Sequence, residues 1–215
     1  MLFGLTAGSL WLYAAAVALL VLTPGPIWIY LLSRTLAQGR RAGYFSLFGV
    51  GAGVMLHVVL ASAGLSALLL AVPAAFEVVK LLGAAYLLWL AINTLRGGGF
   101  SFTPQALPPV ADRVLFRQAL TASVLNPKVA VFYLSLFPQF INPAAGSVFG
   151  QSLILGAIHL TISVGINAVL VTIAAILSGW FVRRPLWLRA QRWFLGSAFG
   201  VLAVWLALTP ARAVR

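Results

Sequence analysis

Two stretches of this chain carry no charged side chain, Met1 to Ser33 and Val129 to Val182. Each far exceeds the roughly 18 apolar residues that mark a membrane helix. A soluble domain carries about 25% charged residues, whereas here the fraction is 7%, against 62% hydrophobic. The hydropathy pattern predicts six membrane spans, at 9–33, 43–71, 74–95, 118–140, 148–179 and 193–210. The fifth is longer than a bilayer needs and has to tilt, kink or protrude. No basic residue precedes Trp11, so the N-terminal run reads as an uncleaved first helix and not as a signal peptide. Trp11 and Tyr13 near the start of that span, with Trp28 and Tyr30 near its end, fit the headgroup levels.

Prolines interrupt two of the spans. Leu22-Thr23-Pro24-Gly25-Pro26 breaks the first, and Leu125-Asn126-Pro127-Lys128 breaks the fourth. Proline has no N–H and clashes with the carbonyl four residues back. Within lipid that carbonyl needs a partner from the protein or from a wet cavity. Thr and Asn are helix N-cap residues and proline suits the first helical position. Thr23-Pro24 and Asn126-Pro127 therefore each read as the start of a half-helix. Such starts are partly positive and hold free N–H groups, which attract anions.

The net charge of +12 is a matter of placement. Arg34, Arg40 and Arg41 follow the first span, Arg96, Arg113 and Arg117 lie between the third and fourth, and Arg183, Arg184, Arg189 and Arg192 between the fifth and sixth. Ten of the fourteen basic residues thus fall on one side, while Lys80, Arg212 and Arg215 fall on the other. The positive-inside rule makes the side with ten cytoplasmic and both termini external. The pattern speaks for orientation in a membrane and not for nucleic acid. With no cysteine in the chain, disulfides, thiol redox relays and thiolate metal sites drop out.

The halves echo one another. Leu22-Thr23-Pro24 matches Leu125-Asn126-Pro127, and the only two histidines, His57 and His159, follow their prolines at nearly equal distances. Leu81-Leu82-Gly83-Ala84-Ala85-Tyr86 then resembles Phe194-Leu195-Gly196-Ser197-Ala198-Phe199. Three spans per half means that the second half enters from the opposite face. The expected fold is therefore an all-α integral membrane protein of six helices in two inverted three-helix repeats, 1–96 and 118–215. A Gly- and Pro-rich cytoplasmic linker, 97–117, joins them and holds Asp112, one of only two acids.

Candidate site residues cluster at the breaks: Thr23, Pro24, Gly25, Pro26, Asn126, Pro127 and Lys128. A lysine at mid-membrane costs about 2.5–3.5 kcal/mol and is tolerated facing a wet cavity or an anionic ligand. A substrate carboxylate suits such a site, and Gly25 lets it approach the backbone. The competing reading has Lys128 snorkelling to the cytoplasmic surface. His57 and His159 are the proton-coupling candidates, since they titrate near physiological pH; each also reads as a histidine simply bonded to a neighbouring helix. Glu77 and Lys80 read as an interfacial ion pair. The segment Arg183–Arg192, with Trp187, reads equally as a basic loop or as a headgroup-bound stretch. The Gly49/Gly53 and Gly196/Gly200 pairs read as close packing within one subunit, with a homodimer seam as the alternative.

At these residues the chain resembles the LysE/RhtB family of small amino-acid exporters. The resemblance runs through Thr23-Pro24-Gly25-Pro26, Gly39-Arg40-Arg41-Ala42-Gly43, His57 with Ala61, Gly64 and Leu65, Gly83-Ala84-Ala85-Tyr86-Leu87, and Leu125-Asn126-Pro127-Lys128 leading to Phe137-Pro138-Gln139-Phe140. It covers nearly the whole length. It implies a multi-pass inner-membrane protein that exports amino acids or related metabolites, driven by an ion gradient, with membrane lipid and a small-molecule substrate as its partners and no cofactor. Family members often carry Asn or Asp after Pro-Gly-Pro, where this chain has Ile27. That departure removes a polar contact, so no particular amino acid carries over, and a less polar substrate is open.

Two other classes compete. An intramembrane enzyme needs an Asp pair, a Ser–His dyad or a metal cluster, and no motif supports Ser62 or Ser163 in that role. A non-transporting assembly subunit is the second. An ATP-driven pump would need a nucleotide-binding partner, because the chain has no Walker-type loop.

Overall fold

The computed structural model describes residues 5–71, 78, 81–85, 88–89, 91–92, 95–96, 108–176, 193, 197, 200–201, 203–205 and 207–208, with no side-chain detail for 64–71. Glu77, Lys80, Tyr86, Leu87, most of the linker, Arg183–Arg192, Gly196, Arg212 and Arg215 lie outside the described residues. The described residues are helical and contain no strand. Helix α1 is Ala7–Leu22, α2 is Pro26–Ala71, α3 is Asp112–Val124, α4 is Pro127–Val131 and α5 is Val148–Ile176. A π-helical turn, Phe132–Leu136, and a 3-10 turn, Phe137–Phe140, continue α4. Pro138 explains the change of winding, since it cannot donate to Leu134, and Phe137 N–H instead reaches back to Phe132 O.

Helix α2 folds back on itself at Gly39, whose φ of 81° lies in the left-handed region that a side chain disfavours. Contacts with α3 show the reversal. Tyr30 meets Leu115 and Gln118, and Gln38 meets Val110; beyond Gly39 the order inverts, with Arg41 on Asp112 and His57 on Ser123. Thr35 and Gly43 pack face to face, whereas a straight helix would hold them about 12 Å apart along its axis. The loop expected at Gly39–Gly43 is thus a one-residue turn, and the arm from 26 runs on to 38 instead of ending at 33.

Among the described residues, two apolar helices are long enough to cross a membrane, Pro26–Ala63 and Val148–Ile176, and the pair Asp112–Val124 with Pro127–Phe140, bent by 46°, passes the same test. Since the first of these folds at Gly39, its 40–63 arm is the portion able to cross, at about 36 Å. Helix α3 starts at Asp112, inside the stretch read as linker. Its first turn holds that acid, which suits a helix N-terminus.

Helix α3 fills the seam between the α2 arms. A β-carbon on Gly49 would overlap Phe116 O and Ala119, and one on Gly53 would overlap Ser123. These glycines therefore serve packing within the chain. Leu31, Leu47, Val50, Ala119 and Val171 form one core cluster. The larger cluster gathers α1, the π turn and α5 around Tyr13, Phe132, Tyr133, Phe137 and Leu155. Tyr13, expected at the headgroups, is fully buried against Phe132, Phe137 and Phe140. Trp11 alone of that pair is exposed. An alternating aromatic pair on a helix cannot face the same way, and the ring stack recruits the inner one.

Candidate functional site

In a continuous helix Leu20 O would accept from the N–H of residue 24, which is a proline without one. Helix α1 accordingly stops at Leu22. Thr23 ends it: both its backbone N–H (3.1 Å) and its Oγ1 (2.6 Å) donate to Leu19 O. Thr23 is therefore a C-cap and not the N-cap expected. The next helix begins instead at Pro26, because two prolines compete for the start and only Pro26 has helical residues after it without interruption.

The second break follows its expected pattern. Asn126 caps α4, its Oδ1 accepting from Lys128 N–H at 3.1 Å, with Pro127 in the first turn. Lys128 then crosses to the first break. Its Nζ donates to Leu20 O and to Thr23 O, both at 2.8 Å. The acceptor orphaned by Pro24 is thus satisfied from 108 residues away, by a charged donor at the electronegative end of α1. Gly25 lies against this bond, where a β-carbon would stand 3.4 Å from Nζ in ordinary contact. The ammonium reaches neither along its own helix to the surface nor freely into a cavity. Two of its three donors are bonded to backbone.

His57 and His159 come together around a residue that the pattern of the sequence did not single out. The Tyr133 ring lies parallel between them, 5.4 Å from His57 and 5.2 Å from His159, each at 5°. Tyr133 Oη and His159 Nδ1 share a 2.8 Å hydrogen bond. His57 Nε2 lies 3.3 Å from Ser123 O. His159 is buried and His57 partly so. The π-helical turn Phe132–Leu136 carries Tyr133 to this place.

A cavity of about 20 Å³ sits among the breaks and α5, lined by Gly25, Asn126, Lys128, His159, Ser163 and Asn167, with Ile27 among its apolar walls. On the far side of Asn126 an open groove of about 780 Å³ runs between the 26–38 arm and α3. Tyr30, Arg34, Arg117 and Gln118 line it, and it ends on Asn126-Pro127. Arg34 is buried and bonds Gln118 Oε1 (2.8 Å) and Pro108 O (3.0 Å). The Arg34–Arg41 cluster and the basic start of α3 therefore share one end of the bundle.

Of the expected site residues, Gly25, Asn126 and Lys128 line the cavity and Thr23 touches it through Lys128; Pro26 and Pro127 line the groove. Pro24 acts by withholding a donor. His159 reaches the cavity wall, and His57 stands behind Tyr133. The pattern of the sequence raises Ser163 only as half of a Ser–His dyad and does not single out Asn167. A signal existed, because His159, Ser163 and Asn167 recur every four residues on one face of an uncharged, mostly apolar helix.

The model for LysE type translocators matches residues 18–209. The chain belongs to this family. It is 33% identical over 199 residues to an uncharacterized membrane protein of Pseudomonas aeruginosa, covering 90% of this chain and 89% of that one. It is 32% identical over 195 residues to a homoserine/homoserine lactone efflux protein of Salmonella typhimurium, covering 91% and 94%. A leucine efflux protein of Salmonella choleraesuis is 36% identical over 139 residues, 63% of this chain and 64% of that protein. No solved structure matches. This is a transmembrane protein of a translocator family whose named relatives are efflux proteins and not enzymes.

Proposed function

We propose that this protein is a secondary active transporter that exports amino acids or related small metabolites across the cytoplasmic membrane, coupled to the proton gradient. The observation that carries this reading is the meeting of two proline breaks through Lys128 beside a small cavity that Asn126, His159, Ser163 and Asn167 also line. Broken helices in membranes persist where they line a cavity or bind a solute. The printed roles of relatives, homoserine, homoserine lactone and leucine efflux, support a small amino-acid substrate. The groove serves as the cytoplasmic entrance, where Arg34 and Arg117 attract carboxylates.

In this reading the six helices form two inverted three-helix repeats, 1–96 and 118–215, with both termini outside. Contact directions support it: the 26–38 arm runs opposite to α3, the 40–63 arm runs with it, and α5 runs against that arm through Gly43–Val171 and Gly156–Val58. His57, Tyr133 and His159 carry the coupling proton. One ring from each half meets the same phenol, so a proton on either changes the bonding of the other.

Counterflow in proteoliposomes holding only this protein tests the reading against a panel of amino acids and amines. At least one amino acid should exchange, and an imposed pH gradient should drive net flux. Tyr133→Phe should keep exchange and lose the response to pH. Absence of exchange across the panel would sink the exporter reading, and unchanged pH driving in Tyr133→Phe would sink the relay.

A further inference from the structure

Two buried asparagines on the wall of the small cavity each hold one amide atom without a partner. Asn126 is 2% exposed; its Oδ1 accepts from Lys128 N–H, and its Nδ2 has no hydrogen bond. Asn167 is also 2% exposed; its Nδ2 donates to Ser163 O at 2.8 Å, and its Oδ1 has none. These bonds fix which way each amide points, because an acceptor has to meet the Lys128 N–H and a donor the Ser163 carbonyl. The cavity wall therefore carries an uncommitted donor from the second break and an uncommitted acceptor from α5. Each dry polar atom costs about 1–3 kcal/mol, and native interiors contain few of them.

The walls between are apolar: Leu20, Val21, Ile27, Val54 and Val129. At about 20 Å³ the cavity has room for no more than a single water. Lys128 is already committed to Leu20 O and Thr23 O. The uncommitted pair is neutral, so it matches a ligand with no net charge that presents an acceptor at one end and a donor at the other. An acid without an amine would set acceptor against acceptor at Asn167. An amine without a carbonyl would leave Asn126 Nδ2 bare.

Resting on the exporter reading, the geometry points to Asn126 and Asn167 as the two ends of a binding site for an α-amino acid with an apolar side chain. Asn126 Nδ2 donates to the carboxylate, or to the ester carbonyl of a lactone, and Asn167 Oδ1 accepts from the ammonium. Asn126 lines both the groove and the cavity, so a substrate arriving through the groove meets the carboxylate end first. Admitting such a ligand requires the cavity to widen beyond its present volume of about 20 Å³.

The test uses the full-length protein in proteoliposomes and the best-exchanged amino acid of the panel. Competition compares that amino acid with its deaminated carboxylic acid, which lacks the ammonium donor, and its decarboxylated amine, which lacks the acceptor. Each truncated form should compete at least tenfold more weakly. Asn167→Leu should raise the half-saturating concentration at least tenfold, while Asn167→Asp, which keeps an acceptor, should stay within about threefold. A deaminated acid that competes as well as its parent overturns the assignment. So does Asn167→Leu with wild-type half-saturation. If Asn167→Leu fails to insert, the competition profile of the wild-type protein decides alone. Exchange of no amino acid removes the exporter reading and this site together, whereas exchange indifferent to Asn167 removes the site only.

Discussion

At the first break the chain ends a helix and leaves carbonyls behind; at the second it begins one and leaves N–H groups ahead. Similar letters, Leu-Thr-Pro and Leu-Asn-Pro, thus produce opposite chemistry. Thr23 turns its hydroxyl back to Leu19 O, and Asn126 turns its amide oxygen forward to Lys128 N–H. The difference comes from the second proline. Pro26 takes the first helical position, so the new helix starts beyond Gly25 and the corner at Thr23 belongs to the old one. The two corners are complementary as a result, and Lys128 closes one with a donor that leaves from the other.

If that complementarity holds the molecule together, Lys128→Met should have the largest effect. It strands two acceptors at about 1–3 kcal/mol each and should abolish exchange and lower the melting temperature in detergent, read by tryptophan fluorescence. Asn126→Ala removes a cap worth about 1 kcal/mol. It should cut exchange at least tenfold, with a smaller loss of thermal stability. Pro24→Ala is the sharper probe. It returns an N–H to Leu20 O, so α1 can run on and Lys128 loses a partner; exchange should fall several-fold while stability holds or rises. A fall in stability comparable to that of Lys128→Met would mean that the carbonyl was never the point of the break. At the small end, Asp112→Asn removes the exposed 2.8 Å pair with Arg41. It should change stability by less than about 1 kcal/mol and leave exchange intact.

Much of this was legible in the chain. Charge-free runs and prolines located the broken helices, and the breaks, Lys128 and His159 do come together. Three things were hidden. The role of Thr23 depended on which of two prolines would start the next helix, and Pro24 and Pro26 both offered that start. Tyr133 sits in a run of aromatics, Phe132 to Phe140, where composition says nothing about which ring will meet a histidine. Its place depends on the π-helical slip before Pro138. Asn167 was hidden for a simpler reason: attention to charged and titratable groups passes over a neutral amide, even on a four-residue stripe with His159. Tyr13 was misplaced because burial of a ring by distant aromatics leaves no trace in its own neighbourhood.

The bond from Lys128 to Leu20 O also has a consequence for biosynthesis. The first helix leaves the ribosome 108 residues before the side chain that finishes it. At roughly 5–20 residues per second, that is a wait of about 5–20 s. For that interval the bare carbonyl at Leu20 must be covered by water, by the insertion machinery or by some passing donor. The N-terminal portion is thus delivered to the membrane unfinished. A nascent chain stalled before residue 128 should be a ready target for membrane quality control.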